Sequence, residues 1–228
     1  MALILNIDTA LENGSVMLAS DGKVLTRAYN NEQKDHAAWL HIAIREILQQ
    51  AGFELSNIDA VAVTSGPGSY TGIRVGMASV KGLCYALNIP LITINTLLAM
   101  AWSQREVQNG EGPLMNVNFC PMIDARRDEV FTAVYDAEMQ LVMEPTPLTL
   151  DETSYETLPK DVTTIFFGNG SDKWKPLNTR KNVMFQKWEY VYFNLAYLSE
   201  KYFQDKAFAD LAYVQPDYLK EFYTHKKK

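Results

Sequence analysis

The sequence predicts an α/β protein made of two similar halves, the second smaller than the first. Three observations predict it. Short β-rich runs occur in hairpin-linked groups near residue 1 and again after residue 116. Each group is followed by segments that alternate between helical and extended periodicity. The segment Asn109-Gly110-Glu111-Gly112-Pro113 breaks every periodic pattern, and the order of elements starts again beyond it.

The first half begins with three strands and continues with alternating helices and strands. Asp21-Gly22 is a hairpin turn of the favoured two-residue kind, and Gly52 ends the first helix. Strands that are separated by helices run parallel through right-handed crossovers. The predicted elements are strands at 2–7, 15–20 and 23–29, a helix at 35–51, a strand at 58–63, a helix at 71–87, a strand at 91–94 and a helix at 96–107.

The second half repeats this order of elements with fewer helices and strands. Its predicted elements are strands at 117–123 and 129–135, a less clear strand near Leu141, a short helix at 151–158, a strand at 163–167 and a helix at 194–208. Three hairpin-linked strands followed by alternating helices and strands describe a ribonuclease-H-like half. Two such halves are the architecture of the actin, hexokinase and heat-shock-70 (ASKHA) superfamily. We therefore predict domains at 1–108 and 109–228, with the final segment, 211–223, packing either on the second half or back on the first.

Composition is that of an ordinary globular chain of 228 residues, with a net charge of −6 and a pI near 5.1. The negative charge argues against autonomous binding of nucleic acid. Cys84 and Cys120 lie in apolar segments and are expected to be buried thiols in a reducing compartment. The start of the chain does not have the pattern of a signal peptide, and no apolar run approaches the length of a membrane span. A cytoplasmic protein is the resulting expectation.

The most distinctive stretch is Ser65-Gly66-Pro67-Gly68-Ser69, between a buried strand and a helix. Glycine permits the backbone angles of a tight turn, and the free amides of a helix N-terminus favour an anion. Ser65, Gly66, Gly68 and Ser69 are therefore candidate contacts to a nucleotide or another anion. The alternative is that the glycines only tighten the turn. The stretch lacks the Gly-Lys-Ser/Thr of a Walker loop, and Thr71 replaces the third glycine of the dinucleotide fingerprint.

Four motifs together resemble one family. They are Asn6-Ile7-Asp8-Thr9, His36 at the head of the first helix, the stretch from Ser65 to Arg74, and Ile123-Asp124-Ala125-Arg126. In this order they resemble the TsaB (YeaZ-like) family of accessory proteins in the biosynthesis of tRNA threonylcarbamoyladenosine, and the resemblance is strong over residues 1 to 136. It implies a heterodimer with a metal-bearing TsaD-like paralogue, which acts with a TsaE-like ATPase. That complex transfers a threonylcarbamoyl group to N6 of adenosine 37 in tRNA.

The first loop argues against strong nucleotide binding by this chain alone. In the superfamily an aspartate at the end of the first strand holds the metal and the phosphates of ATP, and Asp8 and Thr9 occupy that place. The loop that follows has no lysine and carries Glu12, whose charge disfavours phosphate. The family usually has serine in place of Ala10. We expect a structural role for Asp8 and no cofactor in the isolated chain, with ATP or ADP a candidate at the subunit junction of the complex.

The histidines do not predict a metal site. His36 and His41 are five positions apart, which separates them by roughly 140° around a helix. The TsaD resemblance implies two metal-binding histidines at i and i+4, but here the second place is Leu40. The candidate nucleophiles Ser65, Ser69 and Thr71 have no histidine close in sequence. The expectation is a chain without metal and without catalytic residues.

The two helices of the first half carry apolar or small residues outside their core faces. A stripe with alternating spacings of three and four is typical of close helix contact. Glycine inside a helix costs roughly 1 kcal/mol, so a second backbone passing close would explain Gly82. The alternative is that the helices pack only on each other. The predicted interface, for the paralogue or for a second copy of this chain, consists of Trp39, Ile42, Gly72, Val75, Ser79, Gly82 and Ala86.

Three functions compete at this point. The first is a non-catalytic subunit that contacts tRNA only through its complex and has no membrane partner. The second is a stand-alone ATP-using enzyme of the ASKHA superfamily, and the third is a hydrolase or peptidase. The missing histidine pair and the poor phosphate loop disfavour the second, and the lack of a triad disfavours the third.

Overall fold

A computed structural model describes residues 2–31, 36–109, 116–190 and 193–220. It contains two five-stranded sheets. The first sheet has the order β3-β2-β1-β4-β5, in which β1, β2 and β3 are antiparallel and β4 and β5 run parallel to β1. Its strands are β1 Leu3–Asp8, β2 Gly14–Ser20, β3 Lys23–Asn30, β4 Ala60–Gly66 and β5 Leu91–Asn95.

Three long helices accompany the first sheet: α1 His36–Ala51, α2 Tyr70–Leu87 and α3 Thr96–Asn109. A short 3-10 turn, Leu55–Asn57, precedes β4. Apolar side chains of α1 and α2 pack into one core with one face of the sheet. On α2 the residues Ile73, Met77, Val80 and Cys84 are buried, as their helical spacing predicts.

The second sheet repeats the arrangement, with the order β10-β9-β6-β7-β8. Strands β6, β7 and β8 form an antiparallel meander, and β9 and β10 run parallel to β6. The elements are β6 Val117–Asp124, β7 Glu129–Tyr135, β8 Leu141–Thr149, β9 Thr163–Phe167, α4 Ser171–Trp174, β10 Val183–Phe185 and α5 Ala196–Gln204. The predicted two-half α/β fold is therefore confirmed.

Several predictions for the second half were wrong in detail. The segment 151–158 is a series of turns instead of a helix, because Tyr155 has a left-handed φ of 68° that interrupts helical geometry. Strand β8 extends through Pro145 and Pro147, which is possible because it lies at the edge of the sheet. The short elements α4 and β10 were not predicted. Helix α5 is shorter than the predicted 194–208.

Helices α3 and α5 lie between the two sheets and share one apolar core with both. Helix α5 follows the second sheet in sequence but contacts β1, β2, β3 and β5 of the first sheet. The chain beyond it also stays with the first sheet, where the Ala209 N–H donates to the Leu91 carbonyl at 2.8 Å. In the described part of the final segment, the Val214 carbonyl accepts from Lys81 Nζ of α2 at 3.2 Å, whereas Lys220 pairs with Glu129 of β7. The predicted boundary at 109–113 lies mostly outside the described residues.

We call β1–β5 with α1 and α2 the first lobe, and β6–β10 with α4 the second lobe. No helix among the described residues has the length and the apolar character needed to cross a membrane.

Candidate functional site in the cleft between the lobes

A cleft of about 1470 Å³ separates the two lobes. Its walls include the loops that follow β1, β4, β6 and β9, and each of these loops leaves the carboxyl end of its strand. In open α/β sheets, ligands bind at this end of the strands. The topology therefore makes the cleft the candidate functional site.

We call Ser65-Gly66-Pro67-Gly68-Ser69 the glycine stretch. The backbone of the loop after β1 lies on one side of this stretch and of the first turn of α2. A side chain at Gly68 would collide with the carbonyl oxygen of Ala10, and one at Gly72 with that of Thr9. The Ser69 N–H donates to the Ala10 carbonyl, and the Thr9 hydroxyl donates to the Gly72 carbonyl, both at 2.7 Å. The two glycines thus permit a close backbone approach within the first lobe.

On the other side lies Asp217 of the C-terminal segment. The Ser65 hydroxyl donates to the Asp217 carboxylate at 2.5 Å, and the Asp217 N–H donates to the Ser65 carbonyl at 2.7 Å. Gly66 has a left-handed φ of 123°, and a Cβ there would lie 2.6 Å from the Asp217 carbonyl oxygen. The side-chain carboxylate of Asp217 therefore lies next to the loop that was predicted to bind an anion.

Asp8 is fully buried at the end of β1. Its carboxylate accepts hydrogen bonds from Thr64 Oγ1 at 2.6 Å, from Tyr190 at 2.5 Å and from the Ala10 N–H at 3.0 Å. Burial raises the pKa of Asp8, and the hydrogen bonds from Thr64 and Tyr190 offset part of the rise. Burial, and then the neighbouring Asp8 charge, raises the pKa of Tyr190 well above its ordinary value. These contacts agree with a structural role for Asp8.

The predicted nucleotide or anion contacts therefore divide into two groups. Gly68 and Ser69 line the cleft. Asp8, Thr9, Ser65 and Gly66 are buried and contact other parts of the chain. Ligand contact remains a proposal for this set, of which Gly68 and Ser69 are the members that line the cleft.

Basic side chains on the second-lobe wall were not predicted as site residues. Arg126, Arg127, Lys175 and Lys187 line the cleft there. Arg126 and Arg127 are consecutive in the β6–β7 turn and both have left-handed backbone, with φ of 73° and 50°. Such a conformation costs a non-glycine residue about 1–2 kcal/mol. The Arg-Arg pair in a two-strand connection was visible in the sequence, but only the fold shows that it faces the glycine stretch.

Asp124, at the place in the second lobe that matches Asp8, is exposed, with 40% of its side chain accessible. Partial burial works to raise the pKa of Asp124, but hydrogen bonds from Lys173 and from the Arg126 N–H hold it below its ordinary value. Lys173 Nζ lies 2.6 Å from its Oδ1. Asn169 Oδ1 accepts from the Asp124 N–H at 2.9 Å, and Asn169 Nδ2 donates across the cleft to Glu12 at 3.2 Å. The Gly168-Asn169-Gly170 stretch thus links the two lobes.

The histidines are held apart. His36 is buried, with Nδ1 3.3 Å from Asn30 Nδ2, whereas His41 is exposed and lies 3.4 Å from Ser79 Oγ. Leu40, between them, is fully buried in the core. Within the described ranges, no three His, Cys, Asp or Glu side chains form a group that could hold a metal ion.

The predicted helix interface is only partly accessible. Gly72 is buried under Thr9, so the prediction that it meets a foreign helix was wrong. Trp39 is half-buried and packs on the first-lobe core, and Val75 and Ser79 are also half-buried. Ile42, Gly82 and Ala86 are exposed, and no atom lies within 4 Å of the place where a Cβ on Gly82 would stand.

Comparison with known proteins gives both a fold and a family. A crystal structure of a Pseudomonas aeruginosa protein with similarity to peptidase YEAZ superposes with a TM-score of 0.81 at 25% identity, covering 96% of this chain and 100% of that one. An inorganic polyphosphate/ATP-glucomannokinase from Arthrobacter sp. strain KM superposes with a TM-score of 0.50 at 12% identity, covering 88% of this chain and 99% of that one. The second similarity concerns the fold alone and agrees with the ASKHA prediction.

In sequence, the chain is 37% identical over 130 residues to a Haemophilus influenzae protein named tRNA threonylcarbamoyladenosine biosynthesis protein TsaB, covering 56% of this chain and 51% of that one. It is 35% identical over 135 residues to the Escherichia coli protein of the same name, covering 59% and 55%. The chain thus spans about half the length of the curated relatives that it matches.

A family model described as "TsaD: tRNA N6-adenosine threonylcarbamoyltransferase" matches residues 23–227. The match covers most of the chain, from β3 of the first lobe through the second lobe. The chain therefore belongs to this TsaD family, and its resemblance to the TsaB (YeaZ-like) proteins is confirmed.

Proposed function

We propose that this chain is a non-catalytic subunit required for threonylcarbamoyl transfer to N6 of adenosine 37 in tRNA. It acts by forming a heterodimer with a metal-bearing TsaD-like paralogue, and the pair engages a TsaE-like ATPase. The names of the matched relatives support the modification pathway. The observation that carries the subunit role is the exposed outer face of α1 and α2.

This outer face combines exposed apolar side chains with exposed small residues. Ile42 on α1 is 48% exposed and Tyr85 on α2 is 82% exposed. Gly82 and Ala86 lie on the exposed side of the same helix and carry little side-chain bulk. Aromatic and aliphatic anchors beside small residues suit the close packing of a partner helix. The proposed interface is therefore Ile42, Gly82, Tyr85 and Ala86, with Trp39, Val75 and Ser79 at its inner margin.

The packing of α1 supports assigning the metal chemistry to the partner. A metal-binding pair would need histidines at positions 36 and 40, but Leu40 is part of the apolar core. His36 is buried and faces Asn30. We propose that the paralogue carries the metal. ATP or ADP at the subunit junction, next to Gly68 and Ser69, belongs to the same proposal.

Reconstitution tests the proposal directly. Purified TsaD-like and TsaE-like proteins are incubated with tRNA and threonylcarbamoyl adenylate, with and without this chain, and modified adenosine is quantified by mass spectrometry. We expect product only when all three proteins are present. Product from this chain alone, or undiminished product in its absence, would contradict the proposal.

A matched pair of variants tests the interface. Ile42→Arg places a charge on the outer face of α1, and Leu25→Arg places the same charge on β3, where the side chain is similarly exposed at 50%. An unpaired arginine buried at a helix contact costs several kcal/mol. We expect Ile42→Arg to abolish co-elution with the paralogue and Leu25→Arg to retain it, with both variants folded. Equal co-elution of the two would move the interface elsewhere.

A further inference from the structure

A short segment near the end of the described chain contacts both lobes. Residues 217–220, which we call the strap, lie outside helices and strands, and all four line the cleft. Asp217 is bonded to Ser65 of the first lobe, and Lys220 forms an ion pair with Glu129 of the second lobe. The strap therefore spans the cleft from one lobe to the other.

The first-lobe end of the strap is held by several contacts of different kinds. The side chain and the backbone N–H of Asp217 both bond to Ser65. The next residue, Tyr218, accepts a hydrogen bond from Arg74 Nε of α2 at 2.8 Å. The Arg74 guanidinium also lies 3.8 Å from the ring centroid of Tyr70. Hydrogen bonds to a charged group and cation–π contacts are among the stronger contacts open to a surface segment. This end is therefore anchored on β4 and α2.

The second-lobe end of the strap is held by the ion pair between Lys220 and Glu129. Their side chains are 46% and 19% exposed, respectively, so water reaches the pair. An ion pair of this kind contributes little stability and is weakened by salt. The contact to the second lobe is therefore the weaker of the two, and it is the one that opens first.

The lobes have a firm connection away from the strap. Helices α3 and α5 share one apolar core with both sheets, and a packed core of this kind can serve as the hinge about which two lobes open. Across the cleft itself, the exposed hydrogen bond between Asn169 and Glu12 is a further link. Surface segments with little buried area are where local opening is easiest.

From these contacts we propose that the strap is a latch that limits the opening of the cleft. In the latched state Lys220 holds Glu129, and the lobes keep the separation seen in the structure. Release at Lys220 allows the lobes to move apart and breaks the Asn169 contact, while Asp217 and Tyr218 keep the strap on the first lobe. The strap thereby controls access to the cleft.

Electron paramagnetic resonance between two nitroxide labels tests the latch. Thr71→Cys on α2 and Asp128→Cys in the β6–β7 turn place one label on each lobe at exposed positions, and the native thiols are buried. The test variants in this background are Lys220→Gln, Glu129→Gln and the two combined. The control is Lys160→Gln, which removes the same charge at an exposed position that does not line the cleft.

We expect each single variant to gain a population of longer distances that the wild type and the control lack. The combined variant should match the single ones, because all three remove the same contact. Raising the salt from about 0.1 to about 1 M should shift the wild type in the same direction and leave the combined variant unchanged.

Identical distance distributions for the wild type and Lys220→Gln overturn the proposal. A shift in the combined variant equal to the sum of the single shifts also overturns it, because the two residues then act separately. If Glu129→Gln does not fold, Lys220→Gln and the salt series decide alone, since the Lys220 side chain is nearly half exposed. The experiment uses this chain by itself, so its outcome does not depend on the proposed subunit role.

Discussion

The Tyr190 hydroxyl, from the segment after the second sheet, donates a 2.5 Å hydrogen bond to the buried carboxylate of Asp8 in the first strand. It also lies 3.1 Å from Ser15 Oγ. The contact joins residues 182 positions apart and ties the end of β1 to the second half of the chain. The hydrogen bond of Tyr190 to Asp8 thus connects the first strand of the first sheet with a segment that follows the second sheet.

Tyr190→Phe should lower the free energy of unfolding by about 1–3 kcal/mol, because it leaves a buried carboxylate oxygen without its donor. Chemical denaturation monitored by circular dichroism measures the loss. Tyr197→Phe is the matched control, since that ring is exposed and stacks on Trp102. It should change stability by less than about 0.5 kcal/mol. Equal effects of the two variants would show that the Asp8 contact is not energetically important.

The pKa of Asp8 predicts a pH dependence of stability. Burial raises the pKa of Asp8 in the folded state, whereas in the unfolded chain the pKa of an aspartate is about 3.9. Between the two values the folded state holds a proton that the unfolded state releases, so stability falls as pH rises. The contribution is fully present below about pH 3.9 and is lost as pH rises through the folded-state pKa.

The measurement is the difference in unfolding free energy between the wild type and Asp8→Asn, taken at several pH values from 4 to 8. Other titrating groups cancel in this difference. We expect the stability of the wild type relative to Asp8→Asn to decrease as pH rises and then to become constant. A difference that is constant over the whole range would refute a raised pKa for Asp8.

Two glycines of α2 should respond oppositely to the same substitution. Gly72→Ala forces a methyl group against the Thr9 carbonyl oxygen and should cost several kcal/mol, because backbone on both sides must move. Gly82→Ala meets no neighbouring atom and should stabilise the isolated chain by about 0.5–1 kcal/mol. Thermal melts of the two variants decide the matter. Similar melting temperatures would mean that the Thr9 contact is not as close as the structure has it.

The two cysteines should be unreactive in the folded protein. Burial raises the pKa of Cys84 to about 11 and that of Cys120 to about 12, so little thiolate exists near pH 8. Iodoacetamide at that pH should modify neither thiol, and both should react in denaturant, as read by intact mass. Ala86→Cys is the control, because this exposed position on α2 is two residues from Cys84. Its new thiol should react within minutes, and alkylation of Cys84 at a similar rate would contradict its burial.

The two-half fold was predictable because it depends on local periodicity. Each half repeats a hairpin group followed by parallel strands, and hydrophobic spacing reveals both. The hydrophobic pattern predicted the wrong structure at two places. A positive φ at Tyr155 prevents the predicted helix, and the edge position of β8 allows the strand to continue through Pro145. The local pattern also did not show that α5 packs on the first sheet. The amino-acid pattern of a helix shows which face is apolar, but it does not show which sheet that face contacts.

The sequence by itself determined the family, the element order, the buried face of α2 and the place of the stretch from Ser65 to Ser69 between a strand and a helix. Only the tertiary structure decided what surrounds that stretch. Thr9 and Ala10 lie on one side of it and Asp217 on the other, while the arginines of the β6–β7 turn face it across the cleft. The physical reason is that propensity and periodicity act between neighbours in sequence, whereas a site is made by packing residues that are far apart along the chain.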